Sequence, residues 1–206
     1  HSEQSEEFRS NLKFNGYKGR VVFRGDKVKD ESGFYAVFTE QGTSASHMAG
    51  GKFLDALARM PKMDGGISDA ISAYTQVPMP DELETWIKLP KRRWPESWKG
   101  MKDPVCPLKL NLYGHPLAGL LWEKYCEKAL IELGFVKMKG WECMFMHEEQ
   151  GLFLSVYVDD FKMAGIARNQ DSGKDNNVEK MWDKIGKKLG LEPSEELNES
   201  VYLGCG

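Results

Sequence analysis

The chain has 206 residues, of which 41% are hydrophobic and 29% charged, the balance of a soluble globular protein. It has no apolar run long enough to cross a membrane and no signal-peptide pattern, so no membrane partner is expected. The net charge is −3, and the four widely spaced cysteines, without a C-x-x-C pair, argue against a zinc knuckle or a disulfide framework.

The N-terminal third is predicted to combine short strands with one helix. Because the chain begins with His1 rather than Met, we expect a piece of a longer translation product or an excised region. Residues 1–11 are polar, acidic and predicted to be disordered. Strands are predicted at 19–24 and 34–38. Between 46 and 60 apolar residues recur at helical spacing until a proline ends the pattern.

Asp69 is expected on a strand and opens the segment 70–75. A loop at 77–84 and a short strand at 86–89 follow this segment.

Two stretches of the chain are locally basic although the whole is acidic. Between residues 86 and 109 seven basic residues face only two acidic ones; the basic residues are Lys88, Lys91, Arg92, Arg93, Lys99, Lys102 and Lys109. A second stretch contains Lys18, Arg20, Arg24, Lys27 and Lys29. Such patches can bind phosphates, although solvated surface charge is an equal alternative for each.

The C-terminal half alternates helices and strands. A helix is predicted over 116–134, then two strands at 142–147 and 152–158 joined by a loop with Gly, a helix at 176–189 and a last strand at 200–205. From Asp69 onward this order indicates an α+β fold of the split β-α-β, ferredoxin-like type, with helices on one face of an antiparallel sheet. Such a sheet can bring Asp69 beside the hairpin that carries an acidic motif of two adjacent aspartates.

That motif, Tyr157-Val158-Asp159-Asp160, is an apolar strand that runs into two adjacent carboxylates. Two like charges at a buried site are costly unless a cation neutralises them. Carboxylate oxygens select Mg²⁺ or Mn²⁺, ions that drive phosphoryl and nucleotidyl transfer. The alternative is a solvated Asp-Asp turn that closes a hairpin, and the four residues alone do not decide between the two.

The sequence contains an ordered set of short blocks. They are Tyr17-Lys18-Gly19-Arg20-Val21-Val22, Asp69-Ala70-Ile71-Ser72-Ala73-Tyr74, Trp86-Ile87-Lys88-Leu89-Pro90, Leu112-Tyr113-Gly114 with Trp122, Leu133-Gly134-Phe135, Tyr157-Val158-Asp159-Asp160 and Tyr202-Leu203-Gly204. In this order, over residues 17–206, the set resembles the reverse transcriptases of copia-type long-terminal-repeat retrotransposons. Each block is weak separately, whereas the ordered set is specific.

The resemblance implies an RNA-directed and DNA-directed DNA polymerase of right-hand architecture. Fingers are expected over 12–68 and 82–112 and the palm over 69–81 and 113–206, without the thumb or ribonuclease H. The implied partners are an RNA or DNA template with primer, deoxynucleoside triphosphates, and the integrase and ribonuclease H of a Pol polyprotein. By analogy with retrotransposon particles, the expected location is the cytoplasm, with the nucleus as a second site.

The resemblance also implies the metal site. Asp69 and Asp159 are expected to hold two Mg²⁺ ions, which Mn²⁺ could replace, with Asp160 completing the carboxylate cluster and Tyr157 and Val158 forming the rest of the motif. In such sites the ions lie ~4 Å apart.

Nucleotide contacts are implied as well. Tyr74 is expected under the incoming sugar, where its ring would exclude a 2′-hydroxyl; the alternative is an aromatic residue of the core. Arg20, Lys18 or Arg24 is expected to hold the triphosphate, because a guanidinium matches phosphate oxygens in bidentate geometry.

The chain departs from the family pattern beside the nucleotide site. Leu117 stands where the family has Gln and Leu120 where it has Arg. This leaves a second hypothesis open, a catalytically inactive, nucleic-acid-binding relic of such a polymerase. A third, a metal-dependent phosphohydrolase, is supported by the aspartates alone.

Overall fold

The computed structural model describes residues 21–30, 32–36, 48–167 and 177–197. Several predictions lie outside these ranges: the polar start at 1–11, Lys18, Arg20 and the last strand at 200–205. In the described parts of the chain, no helix is long and apolar enough to cross a membrane.

Six strands of the described residues form one antiparallel sheet in the order β4-β5-β6-β7-β1-β8, and two more form a separate ribbon, β2-β3. The strands are β1 (Met63–Asp69), β2 (Trp86–Ile87), β3 (Cys106–Pro107), β4 (Val136–Lys137), β5 (Met144–His147), β6 (Leu152–Tyr157), β7 (Asp160–Ile166) and β8 (Glu195–Glu196).

Three helices are described: α1 (Met48–Ala58), α2 (Ala118–Glu132) and α3 (Asn177–Leu189). Helix α2 lies in the connection from β1 to β6, and α3 lies in the connection from β7 to β8. In each case one other strand separates the two that are connected, which is a split β-α-β arrangement. The periodicity predictions for all three helices are confirmed, and α2 ends where Gly134 adopts a φ of 94°, a conformation that glycine adopts at little cost.

The helices lie on both faces of the sheet. Successive side chains of β7 point to opposite faces. Met163 belongs to the main apolar cluster with Leu130 of α2 and Ile185 of α3, whereas Ala164 packs with Leu54 of α1. Helices α2 and α3 therefore share one face, and α1, from the segment expected to form fingers, covers part of the other. This explains why β7 is buried from Phe161 to Gly165.

Strand β1 ends at Asp69 instead of continuing beyond it. Residues after Asp69 form a turn and a 3-10 helix, Ala73–Gln76, so Asp69 closes the strand and does not open a segment of strand over 70–75. The two glycines before it allow close approach of other elements. A Cβ at Gly65 would lie 2.8 Å from that of Ala58 in α1, and one at Gly66 would lie 2.8 Å from the Glu195 carbonyl oxygen of β8.

Three further regions differ from the sequence predictions. Strand β7 occupies residues for which no strand was predicted, and it is covered on both faces, with Phe161 and Met163 on one and Ala164 on the other. The predicted strand at 19–24 is absent from its described residues, 21–24, which precede a 3-10 helix, Gly25–Lys27. Their β-branched residues have no neighbouring strand, and strand propensity is realised only with such a partner. Of the strand predicted at 34–38, the described part contributes only an isolated bridge from Tyr35 to Lys29.

Candidate active site

A tight hairpin turn sets the position of the two adjacent aspartates. Tyr157 pairs with Asp160 at the end of β6 and β7, so Val158 and Asp159 are the two central residues of the turn. Val158 has a φ of 54°, which is unfavourable for a β-branched residue and normally selects glycine at the first position of such turns. The indole N–H of Trp122 in α2 donates a hydrogen bond to the Val158 carbonyl oxygen. A side chain of α2 therefore stabilises the strained turn through a hydrogen bond.

Asp69 lies at the same end of the sheet as this turn. It is directly opposite Asp160 in the β1–β7 pairing, and the Ala70 N–H donates to the Asp159 carbonyl oxygen at 2.7 Å. Asp69 is exposed, whereas Asp159 and Asp160 are half-buried. The fold thus brings together three aspartates that are far apart in sequence.

The carboxyl group of Asp160 is crowded by the two others. Burial, followed by the charges of Asp159 and Asp69, raises the pKa of the Asp160 carboxyl from 3.8 to about 6. A side-chain hydrogen bond between Asp160 and Asp69 acts in the same direction. A protonated Asp160 can therefore donate to Asp69, an arrangement in which a proton offsets part of the crowded negative charge.

The donor set suits a hard cation, although the three side chains do not yet form a closed site. Within the described ranges, no group of three or more His, Cys, Asp or Glu side chains is arranged to hold a metal ion. Asp69 and Asp160 are in direct contact, and Asp159 acts on Asp160 through its charge. Carboxylate oxygens are the ligands that Mg²⁺ prefers, and a cation would relieve the repulsion that raises the pKa of Asp160. The chemistry of these side chains therefore suits such an ion, whereas their arrangement in the described ranges does not enclose one.

Tyr74 lies beside the carboxylates on the α2 side of the turn. Burial raises the pKa of its phenol, and the charges of Asp159, Tyr113 and Tyr157 raise it further. Its ring centroid is 4.6 Å from that of Tyr113 at an angle of 45°, and its apolar edge packs against the main core. The core packing agrees with one of the two predicted descriptions of Tyr74, and its place under the incoming sugar stays a prediction.

The basic residues predicted at the site are represented by Arg24 in the described ranges. Arg24 is exposed and forms a 3.1 Å ion pair with Asp26, two residues away. The preceding Phe23 N–H donates to the Tyr113 carbonyl oxygen at 2.7 Å, so this segment passes next to the Tyr113–Tyr74 pair.

Leu117 is part of the apolar packing at the start of α2. It is half-buried against the main core, and its N–H donates to Nδ1 of His115 at 3.2 Å. The sequence departure at this position therefore has a structural consequence, because an apolar side chain here packs against the main core.

A cavity lies directly beneath the turn, between α2 and the sheet. It has a volume of about 40 Å³, and Tyr74, Trp122, Cys126 and Val158 are among the residues that line it. In the sequence, Trp122 stands out only as part of a block that resembles copia-type reverse transcriptases. No local sequence pattern indicates its hydrogen bond to the turn. Both Val158 and the Trp122 side chain that donates to its carbonyl oxygen line this cavity.

Lys162 is a second residue near the site that had no assigned role. It is buried two residues after Asp160 and forms a 2.6 Å ion pair with Asp55 of α1. The sequence pattern that could have singled out Lys162 is a lone lysine within the apolar run that follows the two aspartates. This pair ties α1 to the strand that carries Asp160.

The basic connector between β2 and β3 carries two half-buried tryptophans among exposed charged residues. Its two acidic residues are both paired, Asp103 with Lys88 and Glu96 with Lys99. The Trp94 and Trp98 rings meet edge to face with centroids 6.3 Å apart. The remaining basic side chains of the connector are therefore available to solvent or to a charged partner.

The chain is similar to part of the Gag-Pol polyproteins of yeast Ty1 transposons. It is 29% identical over 138 residues to the Gag-Pol polyprotein of transposon Ty1-DR4 from Saccharomyces cerevisiae strain S288c, which is 66% of the chain and 8% of the yeast protein. The Ty1-MR1 polyprotein of the same strain is 31% identical over 107 residues, or 52% of the chain and 5% of that protein. The chain thus spans less than a tenth of these relatives. No protein-family profile matches it.

Proposed function

We propose that this chain is the fingers and palm of a retrotransposon-derived, RNA- and DNA-directed DNA polymerase. The observation that carries the proposal is the placement of Asp69 opposite Asp160, with Asp159 in the adjoining turn. The similarity to Gag-Pol polyproteins of Ty1 transposons supports it independently. In the proposed reaction the primer 3′-oxygen bonds to the α-phosphorus of a deoxynucleoside triphosphate while the bond to pyrophosphate breaks.

The carboxylates of Asp69, Asp159 and Asp160 would hold the metal ions of this reaction. When bound, two Mg²⁺ or Mn²⁺ ions would activate the primer hydroxyl and stabilise the departing pyrophosphate. The raised pKa of Asp160 supports this assignment, because it reports mutual repulsion that a cation would relieve. Strand pairing supplies the preorganisation, since Asp69 and Asp160 belong to adjacent, hydrogen-bonded strands.

Other residues would bind and orient the nucleotide and the nucleic acid. Tyr74, beside Asp159, would contact the sugar and select deoxynucleotides, and Arg24, once released from Asp26, would join Arg20 and Lys18 in contacting the triphosphate. The proposed partners are a primed RNA or DNA template and the integrase and ribonuclease H of the same polyprotein. The proposed location is a cytoplasmic retrotransposon particle or the nucleus.

Primer extension tests the proposal. The substrate is oligo(dT) on poly(rA) with labelled dTTP and Mg²⁺ or Mn²⁺, and the protein is assayed both as this chain and as a longer polypeptide that carries the thumb implied by the resemblance. We expect extension that Asp159→Asn abolishes. Asp183→Asn, a matched change of an exposed aspartate on α3, should keep full activity.

The same samples separate the alternatives. A protein that binds the primed template in fluorescence anisotropy but does not extend it, with or without the thumb, would identify the inactive relic, to which the apolar Leu117 gives specific support. Equal extension by the wild type and by Asp159→Asn would overturn the catalytic assignment of the turn.

A further inference from the structure

His115 is buried where three segments of the chain meet. It is 5% exposed, and its carbonyl oxygen accepts the Ala118 N–H at 2.9 Å, which starts α2. Its ring centroid lies 5.3 Å from that of Phe23, on the described N-terminal segment. Its Nε2 atom lies 3.4 Å from the Thr85 hydroxyl oxygen, in the segment that leads to β2.

The hydrogen bonds of the imidazole are compatible with one protonation state. The Leu117 N–H donates to Nδ1 at 3.2 Å, so Nδ1 carries no proton. A neutral imidazole then has its proton on Nε2. The Thr85 hydroxyl donates to the Leu83 carbonyl oxygen at 3.0 Å, which leaves its oxygen free to accept from Nε2–H. An imidazolium would instead direct an N–H from Nδ1 at the Leu117 N–H.

One route from His115 to the carboxylates runs through Tyr113. The Tyr113 carbonyl oxygen accepts the Phe23 N–H, and its ring packs on Tyr74, which lies beside Asp159. Gly114, between Tyr113 and His115, has a φ of 86°, and a Cβ there would lie 2.2 Å from the Phe23 carbonyl oxygen. The two segments therefore touch through backbone, and a shift of the His115 ring would move Tyr113 with it.

A second route runs through α2. The helix begins at the residues that His115 contacts, and about one turn later it carries Trp122, whose indole N–H donates to the Val158 carbonyl oxygen. The Tyr74 ring and the Trp122 indole lie on the two sides of the Asp159 turn. Both therefore depend on the contacts of His115 with the Phe23, Thr85 and Leu117 segments, which we call the joint.

We propose that His115, as the neutral Nε2–H imidazole, is a positioning residue that joins the Phe23, Thr85 and Leu117 segments and thereby places Tyr74 and the Val158–Asp159 turn for nucleotide binding. This inference rests on the proposed function. His115 itself contacts no reacting group, and it acts through Tyr113 and α2. Protonation of the ring breaks the Leu117 bond and releases the joint.

The charge state follows from the surroundings of the ring. Burial lowers the pKa of the His115 imidazole, so the neutral form is present at neutral pH. The charged side chains nearest in sequence on the contacting segments are Arg24, Asp26 and Glu84; the first two pair with each other, and none is a cause of the shift. The joint should therefore hold at neutral pH and open on acidification below the ordinary histidine value of about 6.5.

Steady-state primer extension as a function of pH tests the inference with two variants. His115→Phe keeps the ring and the burial but removes both polar atoms, and we expect its KM for dTTP to rise about tenfold. His115→Asn keeps an acceptor at the place of Nδ1 for the Leu117 N–H, so it should recover part of the loss while losing the acidic limb that His115 contributes to the pH profile. His147→Phe, a change of another buried histidine, serves as the control and should keep the wild-type KM.

A second measurement decides the inference whether or not the protein is a polymerase. Nitrogen NMR of the imidazoles should identify Nε2–H at neutral pH, and titration of His115 should shift the amide signals of Tyr74 and Val158. A folded His115→Phe protein with wild-type KM, pH profile and amide shifts would overturn the positioning role. Absence of extension by the wild type, with the coupled NMR shifts present, would overturn the proposed function and leave the joint supported.

Discussion

At the residue scale, the turn between β6 and β7 combines backbone strain with crowded charge. Val158 adopts a positive φ that costs of the order of 1–3 kcal/mol for such a residue. The neighbouring Asp160 is raised in pKa by its burial and by two other carboxylates. Both unfavourable features persist because the strand pairing on either side and the Trp122 bond specify the turn. Strain and repulsion that coincide at one end of a sheet are typical of a binding or catalytic site.

Asp160 should make the stability of the protein depend on pH. Between 3.8 and about 6 the folded protein binds more protons at this carboxyl than the unfolded chain does, so its contribution makes the free energy of unfolding fall as the pH rises through that window. We expect Asp160→Asn to be more stable than the wild type above pH 6, with the difference shrinking toward pH 4. Urea unfolding across this range measures it.

The control for that experiment is Asp183→Asn on the exposed side of α3. It should follow the wild-type pH dependence throughout. An Asp160→Asn protein whose unfolding free energy tracks the wild type at every pH would show that the three carboxylates do not repel one another as the structure implies.

Trp122 should contribute to stability through a single hydrogen bond to the turn. Trp122→Phe removes the donor and leaves the Val158 carbonyl oxygen without it, which we expect to lower the free energy of unfolding by about 1–2 kcal/mol. Trp86→Phe, on the exposed ribbon, should change it by no more than about 0.5 kcal/mol. Equal losses from the two changes would mean that the indole N–H does not support the turn.

At the scale of elements, the site depends on strand β1. Two glycines of this strand allow α1 and β8 to approach it closely. Gly65 and Gly66 have no side chain between β1 and its neighbours α1 and β8. Strand interiors normally disfavour glycine, so the close approach of two elements is the physical reason for the pair. The ion pair between Lys162 and Asp55 then ties α1 to β7, next to β1.

Substitution of Gly66 should separate β8 from β1. A Cβ at Gly66 would lie 2.8 Å from the Glu195 carbonyl oxygen, and because backbone cannot rotate away, Gly66→Ala should cost about 1–3 kcal/mol of stability. Gly186→Ala is the matched control on α3, where the nearest atom is 4.0 Å away. It should stabilise the protein by up to about 1 kcal/mol. Thermal unfolding of both variants measures the contrast, which a neutral Gly66→Ala would contradict.

At the scale of the whole molecule, two split β-α-β connections assemble the site from distant parts of the chain. Helix α2 separates Asp69 from the hairpin in sequence, yet the strand order makes β1 and β7 neighbours. Helices on both faces bury β7, which fixes its register, because a slip by one residue would turn every side chain to the other face. The register in turn decides that Asp160, and not its neighbour, lies opposite Asp69.

Binding of Mg²⁺ should therefore stabilise the folded molecule as a whole. At alkaline pH we expect the melting temperature of the wild type to rise with Mg²⁺ and saturate, since an ion that binds only the folded state shifts unfolding by mass action. Asp69→Asn should reduce the rise, and sodium chloride at equal ionic strength should not reproduce it. A rise of the same size in the variant would locate the cation elsewhere.

Local signals in the sequence were sufficient for α1, α2 and α3, for strands β5 and β6, and for the acidic motif, because apolar periodicity and adjacent charges can be recognised within a few residues. Only the tertiary structure decided that β1 ends at Asp69, that residues after Asp160 form a strand, and that Trp122 holds Val158. It also decided that Asp69 and Asp160 touch while Asp159 acts on Asp160 through its charge. These features depend on pairing register and on burial by distant elements, which no local pattern encodes. The positive φ of Val158 is the clearest case, since the hairpin imposes it against the intrinsic preference of the residue.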